Sequence, residues 1–336
     1  MENNTDSSIQ HIILSGGGHV MFQEYAILRD SNLAGFWNFK NLKSIYGTSA
    51  GAIIGLYLAL VSIFDEEQST IEKEWEILDN YLINRPWQNL FKIDLLTIIQ
   101  SINKEGILLE NVATETFAPI LKAKDLSPNI NMIDLYNITN IELHFFTVDM
   151  DTFEIVDISH RTHPEWSVVS AVYASSCLPI LFAPYKKDGK NYTDGGVLVN
   201  YPLSQFLKNN STVDPKEIFA IKIVYNSSPD IKKEIDESGE DSENKSLTEY
   251  KYDSIENKPT YIYDSILKIL MKMFEFIEKH NNNMTPDFCL KNEISIYGEY
   301  SNILYDIYLA SNFSEERKKL IATGSELWKE FLEKNE

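Results

Sequence analysis

The chain has 336 residues, of which 43% are hydrophobic and 24% are charged, a composition typical of a folded globular protein rather than a disordered one. Its 30 basic and 50 acidic residues give a formal net charge of −20. Binding to nucleic acid depends on basic side chains that neutralise phosphates, so this charge argues against a nucleic-acid partner. It also argues against electrostatic docking on an anionic membrane.

Cysteine content and the N-terminal sequence limit the cellular context. Cys177 and Cys289 are too few for a disulfide framework, and no Cys/His cluster has the spacing of zinc ligands. Residues 1–10 are polar and acidic without a basic segment, which predicts a flexible N-terminus and no secretory signal. The uncharged stretch 44–64 is long enough to span a bilayer, but glycines interrupt its first third, which favours a buried helix. We therefore expect a cytoplasmic or membrane-peripheral protein.

Short apolar runs alternate with stretches of helical periodicity along the chain. Predicted strands lie at 11–14, 42–46, 142–148, 153–158 and 217–225, and a hairpin at 185–192 turns at Asp188-Gly189. Predicted helices lie at 21–28, 50–64, 65–81, 167–175 and 262–277, and a last helix begins at Ser314. Strands that alternate with helices in this way indicate an α/β fold.

One acidic segment interrupts this pattern. Residues 230–257 contain ten acidic and four basic residues with little apolar material, which predicts an exposed, flexible insertion. In the helix predicted after it, at 262–276, Lys268 and Lys272 lie four residues apart beside apolar side chains. That helix either packs in the core or contacts a lipid surface. We expect residues 11–336 to form a single domain that contains the insertion.

Residues Gly47-Thr48-Ser49-Ala50-Gly51 form a G-x-S-x-G pattern between a predicted strand and an apolar helix. A nucleophilic serine must stand clear of the backbone on a sharp strand-to-helix turn, and glycines two residues on either side give room for that turn. The N-terminus of the helix also favours negative charge that develops near the serine. This context favours Ser49 as a nucleophile over an ordinary serine in a tight loop.

Three consecutive glycines, Gly16, Gly17 and Gly18, follow the first predicted strand. A dinucleotide-binding loop requires a glycine at position 21, where this chain has Met21, and a P-loop requires Gly-Lys-Ser/Thr, which is absent. Two interpretations stay open. The glycines form either a plain tight turn or a set of backbone N–H groups that surround an oxyanion beside Ser49.

Asp194 ends a predicted strand and precedes Gly195 and Gly196. Alone, an Asp-Gly pair is commonly a turn. The glycine loop, the GTSAG pattern and this aspartate stand in a fixed order, however, and Ala174-Ser-Ser-Cys-Leu-Pro-Ile-Leu-Phe-Ala-Pro184 precedes the aspartate. Together these motifs resemble those of the patatin-like phospholipases. The resemblance covers residues 10–225 and, more loosely, the rest of the chain.

The resemblance implies a three-layer α/β/α fold with a mixed, largely parallel central sheet and a nucleophile elbow. It also implies a catalytic dyad, in which Ser49 attacks an ester carbonyl and Asp194 is the general base with no histidine between them. The backbone amides of Gly16, Gly17 and Gly18 would then form the oxyanion hole. A serine hydroxyl requires such a base. Burial would raise the pKa of Asp194, so we expect a dry, glycine-walled site.

Two positions of the glycine loop depart from the family pattern, which has a basic residue two positions after the third glycine and then a further glycine. Here those positions are Val20 and Met21. The missing cation puts the rate and the head-group preference in question, but not the dyad. His19 lies in the same loop and could replace part of that charge, although we expect it to be a surface histidine.

Three other interpretations compete with the dyad. A Ser-acid-His triad needs a histidine well after Asp194, and only His280 is so placed, in a polar helix end that favours a capping role. A scaffold or storage protein with a relict site is favoured by the altered glycine loop and opposed by the intact Ser49 and Asp194. A latent enzyme would need a protein activator, and residues 230–257 are its candidate regulatory segment.

By the same resemblance, the substrate is a fatty-acyl ester of a glycerolipid or phospholipid, cleaved at a lipid interface during lipid degradation. Nothing in the sequence distinguishes sn-1 from sn-2 cleavage. No EF-hand calcium loop is present, so we expect calcium-independent hydrolysis with no metal and no cofactor. The acidic excess lies in residues 65–159 and 230–257, which leaves the segments around Ser49 and Asp194 nearly neutral and free to contact lipid.

Overall fold

The structure is a computed structural model that describes residues 7–91, 106–226, 273, 290–299 and 303–335. The strands are β1 (His11–Leu14), β2 (Ser44–Thr48), β3 (Glu142–Asp149), β4 (Glu154–Ile158), β5 (Tyr185–Lys187), β6 (Lys190–Asp194), β7 (Ile218–Asn226) and β8 (Glu293–Glu299). The α-helices are α1 (Met21–Leu33), α2 (Ala50–Val61), α3 (Ile71–Asn84), α4 (Asn111–Ala123), α5 (Met132–Thr139), α6 (Val168–Ser176), α7 (Leu203–Asn209), α8 (Ile303–Asn312) and α9 (Ser314–Asn335).

The eight strands form one mixed sheet in the order β5-β6-β3-β2-β1-β7-β8, with β4 also paired to β3. Strands β3, β2, β1, β7 and β8 run parallel to one another. Strands β4 and β6 run antiparallel to β3, and Asp194 at the end of β6 pairs with Thr147 near the end of β3. The carboxyl ends of β1 and β2 therefore lie at the same edge of the sheet as Asp194, which brings the three sequence motifs together.

Side chains that alternate along the central strands divide the core between the two faces of the sheet. Ile12 and Leu14 of β1 belong to a large cluster that includes residues of α1, α2 and α9. Ile13, between them, belongs to a smaller cluster on the other face, with Phe206 of α7. Helices thus cover both faces, and the expected three-layer α/β/α fold with a mixed, largely parallel sheet is confirmed.

Most predicted elements are present, with some shifted ends. The hairpin at 185–192 turns at Asp188 and Gly189, whose φ angles are 52° and 78°. The helix predicted for 65–81 is wrong in its start: α3 begins at Ile71, because the Thr70 side chain accepts a hydrogen bond from the Lys73 N–H and caps the helix there. Strand β8 and helices α4, α5, α7 and α8 are absent from the predicted set.

Several predicted features lie outside the described residues. They are the N-terminal segment up to residue 6, the insertion 230–257, His280, Cys289, and the helix at 262–276 with Lys268 and Lys272, of which only Met273 is described, as an exposed helical residue. Over the described ranges, no helix is both long enough and apolar enough to cross a membrane. The uncharged stretch 44–64 is divided between β2 and α2.

Candidate active site

Ser49 lies at the tight turn between β2 and α2. Its φ of 53° and ψ of −116° are a combination that residues other than glycine rarely adopt. A Cβ atom on Gly47 would lie 2.5 Å from the carbonyl oxygen of Gly51, and one on Gly51 would lie 2.5 Å from the carbonyl oxygen of Leu14. Both glycines are therefore required by close packing, and the pattern forms the nucleophile elbow that the sequence predicts.

Asp194 contacts Ser49 directly. The Ser49 hydroxyl donates a hydrogen bond to Oδ2 of Asp194 at 2.6 Å, and the Gly196 N–H donates one to Oδ1 at 2.7 Å. A Cβ atom on Gly195 would clash with the carbonyl oxygen of Phe146 in β3. Glycine at that position lets the loop after β6 approach β3 closely enough for the carboxylate to reach the serine.

Burial sets the protonation behaviour of Asp194. The residue is 3% exposed, and burial raises the pKa of its carboxyl group from 3.8 to about 6, although the hydrogen bonds from Ser49 and Gly196 oppose the rise. A carboxylate with this pKa is ionised at pH 7 and is a better base than an ordinary aspartate. The arrangement can therefore take the hydroxyl proton as Ser49 attacks an electrophile.

The glycine loop supplies two free backbone donors rather than three. The Gly16 N–H donates to the Asn200 carbonyl oxygen at 3.0 Å, so its place among the predicted oxyanion-hole donors is corrected. Over the described ranges, the N–H groups of Gly17 and Gly18 have no acceptor. The φ of Gly18 is 56°, and a Cβ atom on Gly17 would clash with Ile223 of β7. The positive φ of Gly18 favours glycine at that position, and Gly17 and Gly18 line the same cavity as Ser49.

His19 differs from expectation, and Val20 is buried. His19 is half-buried rather than a surface residue, and its Nδ1 atom is buried without a hydrogen-bond partner. Burial lowers the pKa of His19 to about 4, so the imidazole is neutral at pH 7 and does not replace the missing cation. Val20, at the position where the family has a basic residue, is buried in the core. The loop therefore presents neutral donors only.

Ser175 supports the elbow, a role that no feature of its own segment predicts. The Ser49 N–H donates to the Ser175 hydroxyl at 3.1 Å, and that hydroxyl donates in turn to the Phe146 carbonyl oxygen at 2.7 Å. On the other side, the Thr48 hydroxyl donates to the Val199 carbonyl oxygen at 2.9 Å. These bonds join the turn that carries Ser49 to α6 and to the loop after Asp194.

An apolar cavity of about 180 Å³ opens beside Ser49 and Asp194. Ile53 and Tyr57 line it, and they follow Ser49 at intervals of four residues on one face of α2. Further lining side chains come from the segments around α3, α4, α6 and α8: Trp87, Val112, Phe117, Val172, Leu181 and Ile307. The cavity beside Ser49 is therefore walled mainly by apolar side chains.

Arg317 of α9 holds one wall of this cavity in place. Its guanidinium group donates hydrogen bonds to the carbonyl oxygens of Ala310 and Ser311 at the end of α8, and to those of Ile83 and Arg85 at the end of α3. Arg317 is 3% exposed, and over the described ranges no carboxylate pairs with it. The carbonyl ends of two helices therefore balance the buried cation.

The described residues contain no group of three or more His, Cys, Asp or Glu side chains arranged to hold a metal ion. Cys177 is a buried free thiol, and burial raises the pKa of that thiol well above its ordinary value. The histidine that a Ser-acid-His triad requires, His280, lies outside the described residues. The chemistry that the described site can perform rests on Ser49, Asp194 and backbone amides.

Comparison with known proteins gives one family. The family model of the patatin-like phospholipases matches residues 12–207. The uncharacterised protein R571 of Acanthamoeba polyphaga mimivirus is 26% identical over 222 residues, which are 61% of this chain and 66% of that protein. VipD from Legionella pneumophila superposes with a TM-score of 0.48 at 15% identity, covering 97% of this chain and 67% of VipD.

The type III effector ExoU, known in complex with SpcU from Pseudomonas aeruginosa, superposes with a TM-score of 0.38 at 13% identity, covering 97% of this chain and 53% of ExoU. The chain thus spans about two-thirds of R571 and about half of ExoU. The family match includes the glycine loop, Ser49 and Asp194, and it extends over more than half of the sequence. The chain belongs to the patatin-like phospholipase family.

Proposed function

We propose that this protein is a lipid acyl hydrolase of the phospholipase A type, which cleaves fatty-acyl esters of glycerolipids with Ser49 as nucleophile and Asp194 as base. The observation that carries the proposal is the 2.6 Å hydrogen bond from the Ser49 hydroxyl to a buried carboxylate. The two side chains are in direct contact, so the reaction requires no histidine between them. Family membership supports the same chemistry.

In the first half of the reaction, Ser49 Oγ bonds to the ester carbonyl carbon as its proton passes to Asp194. The carbonyl oxygen becomes an oxyanion that accepts hydrogen bonds from the Gly17 and Gly18 N–H groups. The ester C–O bond then breaks, and the leaving alkoxide takes the proton from Asp194. In the second half, Asp194 removes a proton from water, which attacks the acyl-enzyme; the proton returns to Ser49 as the fatty acid leaves.

The cavity supports an acyl chain as the group that is transferred. Tyr57 follows Ser49 by eight residues on α2, so it lies about 12 Å further along the helix axis at 1.5 Å per residue. An acyl chain bound along this face would contact Ile53 and reach the aromatic end formed by Tyr57 and Phe117, whose ring centroids are 5.0 Å apart. The direction of α2 therefore supports a substrate with a hydrocarbon chain of medium length or longer.

Helix α8 supports contact with a lipid surface. Its residue Ile307 lines the cavity next to Gly18, while Tyr305 is 51% exposed, Tyr308 41% and Phe313, just after the helix, 51%. Neighbouring rings in this set have centroids 6.3 and 6.4 Å apart. Tyrosine suits the boundary between water and lipid, because its ring is apolar and its hydroxyl is polar. We propose that this aromatic surface contacts the membrane from which the substrate enters.

The decisive experiment combines labelling with product analysis. The wild-type protein should react with a fluorophosphonate probe at Ser49 and should release fatty acid and lysolipid from phospholipid vesicles, with and without a calcium chelator. Ser49→Ala and Asp194→Asn should lose both activities. Ser62→Ala is the matched control, because Ser62 follows α2 and, in the part of the chain that the structure describes, its hydroxyl donates only to the Ala59 carbonyl oxygen.

Two outcomes would change the proposal. Hydrolysis that appears only after addition of a cell extract would indicate a latent enzyme that needs a protein activator. An absence of labelling and of hydrolysis in both conditions, in protein that is correctly folded, would leave a non-catalytic member of the family and refute the proposed function.

A further inference from the structure

Asn200 holds the peptide unit that precedes the free donors of the glycine loop. Its side-chain Nδ2 donates a hydrogen bond to the Gly16 carbonyl oxygen at 3.0 Å, and its backbone carbonyl oxygen accepts one from the Gly16 N–H at 3.0 Å. The two residues are 184 positions apart in the sequence. Both polar groups of Gly16 are therefore bound by one asparagine.

The bond to the Gly16 carbonyl has a consequence for the next residue. The Gly16 carbonyl and the Gly17 N–H belong to the same planar trans peptide unit, in which the C=O and N–H bonds point in opposite directions. The described part of the chain contains no cis peptide. Asn200 fixes the direction of the Gly16 carbonyl oxygen, so the Gly17 N–H points away from Asn200. That N–H has no acceptor in the described structure.

Without such a bond, little in the loop fixes this peptide. A peptide between two glycines rotates with little steric cost, because neither residue carries a Cβ atom. If it turned over, the Gly16 carbonyl oxygen would point where the Gly17 N–H now points, and an acceptor would replace a donor next to Ser49. The hydrogen-bond donor on the side chain of residue 200 therefore selects one of the two orientations of the Gly16–Gly17 peptide.

Close packing restricts the side-chain position of Asn200. A Cβ atom on Gly16 would lie 2.5 Å from Oδ1 of Asn200, and one on Gly196 would lie 3.0 Å from the same atom. The Val199 carbonyl oxygen, just before Asn200, accepts the bond from the Thr48 hydroxyl. The asparagine is thus packed between the glycine loop and the loop that carries Asp194, and it joins the two halves of the site.

We propose that Asn200 is the positioning residue of the oxyanion hole: by binding the Gly16 carbonyl oxygen, it presents the Gly17 N–H to the oxyanion that forms on the substrate. The inference rests on the proposed function, because it assigns a role within that reaction. Asn200 does not touch the reacting atoms through this bond. It acts through the orientation of a backbone peptide.

The test uses Asn200→Leu, which keeps the approximate side-chain size and removes the donor. Loss of one oxyanion-hole donor lowers kcat by about 100- to 1000-fold. We expect a loss of this size with a short-chain ester, with KM little changed because the bond to the oxyanion forms only in the transition state. Asn210→Leu is the control, since the Asn210 amide donates to the Tyr46 hydroxyl and the Phe206 carbonyl and Asn210 is not among the residues that line the cavity, so this variant should keep the wild-type kcat.

A thionoester substrate separates positioning from general damage. Its C=S sulfur is a weak hydrogen-bond acceptor, so the wild-type enzyme gains little from the oxyanion hole with this substrate. In Asn200→Leu, the rate with the thionoester should fall much less than the rate with the matching oxygen ester. Equal losses with both substrates would indicate a structural role, and no loss with either would show that the asparagine is dispensable; both results overturn the inference.

A crystal structure of Asn200→Leu tests the geometry without any activity. We expect the Gly16–Gly17 peptide to be rotated or to occupy two orientations, whereas an unchanged single orientation overturns the inference. If the wild-type protein neither hydrolyses esters nor reacts with the fluorophosphonate, the proposed function fails instead, and the orientation of this peptide in the two proteins still decides the positioning role of Asn200.

Discussion

The hydroxyl group of Ser175 accepts a hydrogen bond from the backbone N–H of Ser49 at 3.1 Å, and it donates one to the Phe146 carbonyl oxygen at 2.7 Å. One buried hydroxyl thus links the strained nucleophile turn to β3. Removing it takes away the hydrogen-bond acceptor of the Ser49 N–H and a donor to the buried Phe146 carbonyl oxygen, and it frees the turn to relax from the conformation that presents Ser49.

Ser175→Ala should therefore lower both stability and activity. We expect a loss of about 1–3 kcal/mol in the free energy of unfolding and a loss of about tenfold to a hundredfold in kcat/KM, because small displacements of a reacting group are costly. Ser31→Ala is the matched control: the buried Ser31 hydroxyl also accepts one bond, from Trp37 Nε1, and donates one, to the Leu28 carbonyl oxygen. It should lose similar stability and keep its activity. Equal activity in the two variants would contradict the supporting role.

The pKa of Asp194 predicts the pH dependence of catalysis. Burial raises that pKa to about 6, and the carboxyl group must be ionised to accept the serine proton. The value of kcat/KM should therefore fall about tenfold per pH unit below pH 6 and level off above it. The pH profile of His19→Gln should have the same midpoint as that of the wild type, since burial lowers the pKa of His19 to about 4. A midpoint that moves in this variant would assign the titration to the histidine.

The same raised pKa predicts that the site destabilises the fold. Between pH 3.8 and about 6, folded Asp194 binds a proton that the unfolded chain does not bind, so stability falls as the pH rises through this range and stays lower above it. Asp194→Asn should unfold less readily than wild type at pH 8, by up to about 3 kcal/mol, and should lose this advantage below pH 4. Urea titrations at pH 8 and below pH 4 measure the difference in unfolding free energy between the two proteins. An Asp194→Asn variant that is less stable than wild type at pH 8 would contradict the prediction.

Ile53 predicts selectivity for chain length. It lies one helical turn after Ser49 and lines the cavity, so Ile53→Trp should fill the space that the acyl chain occupies. We expect hydrolysis of long-chain esters to fall at least about tenfold, equivalent to about 1.4 kcal/mol, while short-chain esters are cleaved at nearly the wild-type rate. The Ile53→Val variant keeps the cavity open and should hydrolyse both long-chain and short-chain esters. A uniform loss with all chain lengths would show that the tryptophan disturbs the fold rather than the pocket.

The aromatic surface of α8 predicts membrane binding. Replacement of Tyr305, Tyr308 and Phe313 by alanine should weaken partitioning to zwitterionic vesicles by about a hundredfold, since half-burying three aromatic side chains contributes about 3 kcal/mol. Activity towards a dissolved short-chain ester should not change. Leu33→Ala with Ile138→Ala is the control, because these exposed side chains lie where α1 and α5 end, at the opposite edge of the sheet. Equal weakening in both proteins would place the lipid contact elsewhere.

The parts of the fold and site that were predictable are those with a local physical cause. Gly47 and Gly51 are required by contacts within one turn and with the adjacent strand, so five consecutive residues predict the elbow. Asp188-Gly189 predicts its hairpin because both residues tolerate positive φ. Strands β1 and β7 are largely apolar because both faces of the central sheet are covered by helices.

The parts that were not predictable depend on distant residues. The hydrogen bonds between Ser49 and Ser175 and between Gly16 and Asn200 join positions 126 and 184 residues apart, and neither serine nor asparagine is unusual in its own segment. The loss of the Gly16 N–H as an oxyanion donor follows from the same Asn200 contact. His19 was expected at the surface because the sequence does not reveal that its loop forms part of a cavity wall.

The bonds of Arg317 connect the last helix to the substrate cavity. Its guanidinium group joins α9 to the ends of α3 and α8, and α8 forms part of the cavity wall. If α9 detaches locally, both helix ends lose their buried donor at once, so these three helices should open as one cooperative unit. Amide hydrogen exchange in α8 and α9 should then share one opening free energy, and a ligand bound in the cavity should slow exchange in the C-terminal helix that it never touches.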